Sequence, residues 1–212
     1  MTGLYPHQTG VMTNTDKAVF GAPLPANLPC VGRVFGDAGY RTGYFGKWHL
    51  GGGGPRNFGF PANGAGPDTT LPTKAADFLA ADDGRPWMLW LSFLNPHDIY
   101  LPGKYPELQK INEAVTLPDT WDEEFQGRPE AQRDNRDDRR GLLDRDQQRQ
   151  MYLTYRSFYA GLMGLVDQQL GQVMAALDAT GQRDNTLVVY LSDHGDMGGA
   201  HGMRFKGPLP YE

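Results

Sequence analysis

The sequence has a single cysteine, Cys30, in 212 residues, which excludes an internal disulfide and any cysteine-rich metal site. It lacks the run of roughly 18 apolar residues that a membrane-crossing helix requires. Its first residues, Met1-Thr2-Gly3-Leu4-Tyr5-Pro6-His7, have neither the basic start nor the apolar stretch of an export signal. Any signal peptide would precede Met1, so the compartment, cytoplasmic or periplasmic and secreted, stays open. Positive charge is also short: 20 Lys and Arg against 25 Asp and Glu give a net charge of -5. That is the wrong sign for a protein that holds nucleic-acid phosphates by counterion release. What the chain does have is 39% hydrophobic and 21% charged residues, the balance of a globular chain rather than a disordered one. The 28 glycines and 16 prolines predict many loops between short elements.

The first 25 residues, with Pro6, Gly10, Gly21, Pro23 and Pro25, read as an irregular segment. Apolar residues at 28, 31, 34, 35 and 38 predict a short helix with Pro29 in its first turn and Gly39 after its end. Residues 40–45 are rich in aromatic and β-branched types and predict a strand, which runs into Gly46-Lys47-Trp48-His49-Leu50 and four glycines. An amphipathic helix is predicted over 73–81. Residues 87–94 are almost continuously apolar, as in a strand covered on both faces, and end at Asn95-Pro96-His97-Asp98. Residues 100–145 suggest an irregular excursion, since 122–149 hold 9 acidic and 7 basic residues with almost no apolar ones. A long helix is predicted from about Asp146, with Met151, Tyr155, Phe158, Leu162, Val166, Leu170, Val173 and Leu177 on one stripe and Gly181 past its end. Residues 186–191 predict a third strand, ending in Ser192-Asp193-His194-Gly195-Asp196. Strands alternating with helices imply an α/β fold built on a mostly parallel central sheet flanked by helices.

In such sheets ligands bind beyond the carboxyl ends of the strands, where three polar clusters fall. Lys47 and His49, one residue apart and flanked by glycines, suit an anionic group whose charge shifts during a reaction; the same pair also fits a surface lysine and a half-buried histidine beside a loop. His97 is a proton donor or acceptor near neutral pH, or a hydrogen-bonded strand-end residue. Asp193 and His194 are half of a divalent-metal site, or a polar turn, and two ligands alone are too few. Lys206 taken alone is a surface cation. Cys30 lies in an amphipathic helix pattern with no histidine nearby in sequence, which favours a core role over that of a nucleophile.

Together these segments are more specific than any one of them. The stretch from Gly39 to Gly51, GYRTGYFGKWHLG, closely resembles the second signature of the sulfatase family within the alkaline phosphatase superfamily. Ser192-Asp193-His194-Gly195-Asp196-Met197, then His201-Gly202, Lys206-Gly207 and Tyr211-Glu212, resembles that family's later metal and sulfate-binding segment. Thr2-Gly3-Leu4-Tyr5-Pro6-His7 with Gly10-Val11 is similar to the stretch that follows its nucleophile. The resemblance implies an incomplete alkaline phosphatase/sulfatase-like fold and the hydrolysis of small sulfated esters. By the same resemblance Asp193 and His194 would ligate a divalent cation, calcium or alternatively manganese. Lys47 and Lys206 would bind sulfate oxygens, His49 would touch the nucleophile's second hydroxyl, and His97 would assist the leaving oxygen.

The sequence departs from the pattern in two consequential places and one milder one. The family's nucleophile is a formylglycine made within Cys/Ser-x-Pro/Ala-x-Arg, and Cys30 is followed by Gly32 and Val34 where Pro or Ala and then Arg belong. The paired aspartates that complete the metal site are also missing, and Ala200 stands where many relatives have Asp. The expectation is therefore that residues 1–212 are the central part of one catalytic domain, inactive and poorly soluble by themselves, with the formylglycine upstream. A phosphonate monoester or phosphodiester hydrolase of the same superfamily is the alternative, and a non-catalytic remnant is another.

Overall fold

Three short strands pair side by side into one parallel sheet in the structure, a computed structural model that describes residues 1–15, 21–81, 83–140 and 143–206. Gly207, Tyr211 and Glu212 of the family resemblance lie outside the described residues. The chain divides into two units, one of Met1–Leu94 with Val166–Thr186 and the other of Asn95–Leu165 with Leu187–Glu212.

In the first unit, the irregular opening segment contains one helical turn, α1 (Pro6–Thr9). The predicted helix is α2 (Val31–Asp37), and it starts after Pro29, with Cys30 as its N-cap. Next comes β1 (Arg41–Gly46), and then β2 (Ala62–Gly64), which is too short to leave an alternating pattern in the sequence. Helix α3 (Leu71–Ala80) buries Leu71, Ala75, Phe78 and Leu79 and leads to β3 (Trp87–Ser92). The strand order is β2-β1-β3, all parallel, with Gly43 opposite Ala62 on one side and Leu89 on the other. The core packs Leu24, Cys30, Tyr44, Phe58 and Phe60 together, with Met88, Trp48 and Trp90 against them. The Cys30 thiol donates to the carbonyl of Phe58, which fits the core role expected for it. Every residue of β3 is half-buried rather than buried, because β3 ends the strand order and one of its edges pairs with no described strand.

In the second unit the core is Ile99, Phe158 and Leu162, with Tyr100, Tyr105, Leu108 and Tyr155 packed on it. Within residues 100–145, where the sequence shows no element, the structure has two 3-10 turns, Pro102–Lys104 and Pro106–Leu108, and a helix, α4 (Glu130–Arg140). Helix α4 has no apolar stripe to announce it. It holds instead by good helix formers, by Glu130 in the first turn against the positive helix end, and by Arg136. The Arg136 guanidinium lies 4.1 Å from the centre of the Phe125 ring and pairs with Asp137 at 2.9 Å.

The long helix α5 (Arg145–Ala179) matches expectation: Phe158, Leu162, Val166, Val173 and Leu177 are buried, while Met151, Tyr155 and Leu170 are half-buried. Gly181 follows it in the left-handed region at φ 68°. The predicted third strand over 186–191 is a correction. These residues have no sheet pairing among the described residues, and Leu187, Val188, Val189, Tyr190 and Leu191 are all exposed, Leu187 by 89%. An apolar run becomes a strand only where a neighbour accepts its backbone hydrogen bonds.

Candidate functional site

In the first unit, Lys47 follows directly on β1. Gly46 sits at φ 108°, and a Cβ there would come within 2.1 Å of the Ser92 carbonyl oxygen, so only glycine lets β1 approach β3 this closely at its end. The Lys47 amide donates to that same oxygen at 2.9 Å, and its carbonyl accepts the Tyr44 hydroxyl at 2.5 Å. The backbone that carries the ammonium is therefore fixed from two sides. Burial pushes the Tyr44 phenol upward in pKa, and its hydrogen bond with Ser92 partly opposes this.

The next residue, Trp48, anchors the loop. Its indole N–H donates to Gly51 at 2.7 Å and its ring meets Tyr44 and Phe58, each at 5.2 Å. The four glycines 51–54 all have positive φ, from 62° to 89°, a succession that side chains would oppose. His49 projects from this rigid base as an exposed residue. Lys47 and His49 thus both follow the end of β1 in the first unit, the lysine half-buried and the histidine exposed.

The second unit gathers two of the expected residues. His97 opens a 3-10 turn, His97–Tyr100, just past β3. Its neighbour Asp98 is 1% exposed and accepts the Lys104 ammonium at 2.5 Å and the Tyr105 hydroxyl at 2.9 Å, which pins the turn. That carboxylate raises the pKa of Lys104.

The Tyr100 ring is a platform for the turn's surroundings. The His97 imidazole meets it edge-on at 5.1 Å, Phe205 lies against it at 5.1 Å, and the Lys206 ammonium stands 5.9 Å from its centre. The Tyr100 hydroxyl points to the Asp196 carboxylate at 3.4 Å, and the Tyr155 hydroxyl of α5 donates to the same oxygen at 2.7 Å. Burial raises the pKa of both Tyr100 and Tyr155, followed by the charge of Asp196 at Tyr100 and the hydrogen bond to Asp196 at Tyr155, so both phenols remain donors at any physiological pH. A cation and an imidazole on one aromatic platform form a group that can hold an oxyanion and exchange a proton with it.

Asp193 and His194 are placed side by side, with His194 Nε2 3.6 Å from the Asp193 carboxylate and Nδ1 2.9 Å from the Gly195 carbonyl. They are 84% and 45% exposed. Among the described residues no group of three or more His, Cys, Asp or Glu could hold a metal ion. This pair supplies two donors where a hard cation such as calcium takes about six to eight, so the residues present do not make a complete cation site.

Sequence reasoning singled out Lys47, His49, His97, Asp193, His194 and Lys206 as candidates, and it gave no sign of the hydrogen bonds that join Tyr100 and Tyr155 to Asp196. Tyr155 reads in sequence as one more member of an apolar helical stripe, and only its hydroxyl's partner reveals a second role. A contact between His201 Nδ1 and the Glu123 carboxylate was equally hidden, since Glu123 belongs to a charge-rich stretch that resembles a solvated face.

A family model described as sulfatase matches residues 1–60 and 52–208. A Delta 4,5-hexuronate-2-O-sulfatase of Bacteroides thetaiotaomicron is 28% identical over 97% of this chain and 47% of its own length. Among solved structures, a 2-O GAG sulfatase superposes with a TM-score of 0.70 at 24% identity, covering 99% of this chain and 49% of that one. The phosphonate monoester hydrolase of Agrobacterium radiobacter superposes with a TM-score of 0.68 at 20% identity, covering 98% of this chain and 54% of that one. At those identities the structures show the fold, which is the alkaline phosphatase/sulfatase fold expected. The chain spans about half the length of the relatives it matches.

Proposed function

The chain belongs to the sulfatase family, and from that premise we propose that it forms the sulfate-binding and proton-donating part of a sulfuric ester hydrolase acting on a small sulfated ester. The observation that carries this reading is the Tyr100 ring, which the His97 imidazole meets edge-on at 5.1 Å and the Lys206 ammonium approaches to 5.9 Å. Lys206 pairs with sulfuryl oxygens and spreads the charge that builds as the ester bond breaks, and Lys47 in the first unit is a candidate for the same role. His97 gives a proton to the leaving alkoxide, so that the departing group is a neutral alcohol. His49, exposed two residues after Lys47, is our candidate for contact with the nucleophile's second hydroxyl.

The sequence contains no Cys/Ser-x-Pro/Ala-x-Arg motif, and the thiol of Cys30 is buried and bonded to Phe58. No step is therefore assigned to a formylglycine formed at Cys30. The family generally works with a divalent cation, and Asp193 with His194 are our candidates for two of its ligands. Among the described residues they fall short of a complete set. The sulfated hexuronate named for one relative makes sulfated sugars a sensible first substrate panel.

A second reading, hydrolysis of phosphonate monoesters or phosphodiesters, is favoured by the fold likeness to the phosphonate monoester hydrolase and by the Asp-His pair. Both readings need Lys206, and they differ in which ester turns over faster.

The role of His97 is tested with aryl sulfates of graded leaving-group pKa and the native-length protein. His97→Ala should lose about 100-fold in kcat/KM on the poorest leaving groups and much less on the best, because a stable phenolate needs no proton. A uniform loss across the series would remove His97 from proton transfer.

A further inference from the structure

We propose that Asp196 is a positioning residue that sets where Lys206 stands against the Tyr100 ring; this rests on the sulfate-binding reading of Lys206 given above. Asp196 is two residues past the candidate metal pair and ten before the lysine, and no chemistry so far has needed it. Its carboxylate is nevertheless among the most engaged groups of the second unit. One oxygen accepts the Tyr155 hydroxyl at 2.7 Å and that of Tyr100 at 3.4 Å, and the other accepts the Gly198 amide at 2.8 Å. These bonds reach an α5 side chain, the platform ring and the start of the loop that ends in Lys206.

That loop is closed on itself. The Met197 amide donates to Phe205 at 3.0 Å and the Gly199 amide to Met203 at 2.8 Å, so Asp196 and Lys206 flank the two ends of one pinned segment. Helix α5 fastens it from one face: Tyr152 donates to the Gly202 carbonyl, Tyr155 to Asp196, and Arg156 to the Gly198 carbonyl at 2.7 Å. Residues three and four apart share a helix face, which is why 152, 155 and 156 act together.

Two residues inside the loop, His201 at φ 55° and Phe205 at φ 73°, take a left-handed backbone conformation that non-glycine residues rarely adopt. Such a conformation persists only where its surroundings impose it. At Phe205 those surroundings are the rings of Tyr100 and Tyr155, 5.1 and 6.3 Å away, and both tyrosines carry Asp196's hydrogen bonds. Phe205 is the residue before Lys206. Asp196 thus fixes the two phenols, the phenols fix Phe205, and Phe205 delivers the ammonium 5.9 Å from the ring that also holds His97.

The test is a double-mutant cycle in the native-length protein that combines Asp196→Ala with Lys206→Ala. It is read by calorimetric affinity for inorganic sulfate and by kcat and KM on an aryl sulfate. With Lys206 present, Asp196→Ala should weaken sulfate and raise KM by about 10-fold. In the Lys206→Ala background the same change should alter both by less than about 2-fold, because the cation that Asp196 positions is gone. Asp196→Asn, which keeps one acceptor oxygen, should restore part of the loss. If Asp196→Ala does not fold, Tyr155→Phe removes a single hydroxyl and should show the same dependence on Lys206.

Equal losses in both backgrounds, or no loss with Lys206 present, would overturn the proposal. Sulfate binding that shows the coupling in a protein without sulfatase turnover would uphold it and overturn the hydrolase reading alone. A wild type that binds no sulfate would overturn both.

Discussion

Tyr155 shows how much one hydroxyl can carry. In sequence it is an apolar residue on a helical stripe; in the structure its phenol donates to Asp196, and burial together with that carboxylate holds its pKa above the ordinary tyrosine value near 10. Above pH 10 the unfolded chain releases this proton while the folded chain keeps it. The stabilisation is therefore full below pH 10 and declines as pH rises beyond it. Tyr155→Phe should cost about 1 kcal/mol at pH 8, and the gap between variant and wild type should narrow by pH 11. Urea midpoints at the two pH values check this, and a gap independent of pH would mean that the phenol's proton plays no part in stability. Lys47 and His97 were legible in sequence because polar residues after a strand are conspicuous. Asp196, Tyr100 and Tyr155 were not, since a hydrogen bond between residues 41 or 96 apart leaves no spacing to read.

Among the elements, those with an apolar face were legible and those held otherwise were not. The sequence located β1, β3, α3 and α5 to within a few residues, because burial on one or both faces imposes a period or a run. It missed α4, which is held by helix propensity and by the packing of Arg136 on Phe125, and β2, which has three residues. It predicted a strand over 186–191, where the composition of a buried strand occurs without a pairing partner among the described residues. That segment predicts behaviour in solution, since contiguous exposed apolar residues drive association. The 212-residue chain should self-associate at micromolar concentration. Val189→Lys, at a position 68% exposed, should shift it measurably toward monomer in sedimentation velocity without changing its helix content. A monodisperse wild type would show that these side chains are covered in solution.

For the whole molecule, the parallel α/β fold and the family were legible from ordered motifs spread over the chain, and the family match covers nearly all of it. Spacing supplied the pair of Lys47 and His49 among glycines, but not the approach of both His97 and Lys206 to the Tyr100 ring. Those groupings are cationic and hold imidazoles, which suits an ester of a strong acid with a leaving group that needs a proton. The most direct measurement is the ratio of kcat/KM for an aryl sulfate to that for an aryl phosphonate with the same leaving group, using the native-length protein and its Lys206→Ala variant. The account predicts faster turnover of the sulfate and a loss of about 100-fold in that turnover without Lys206. Faster turnover of the phosphonate, or a sulfatase activity indifferent to Lys206, would contradict it.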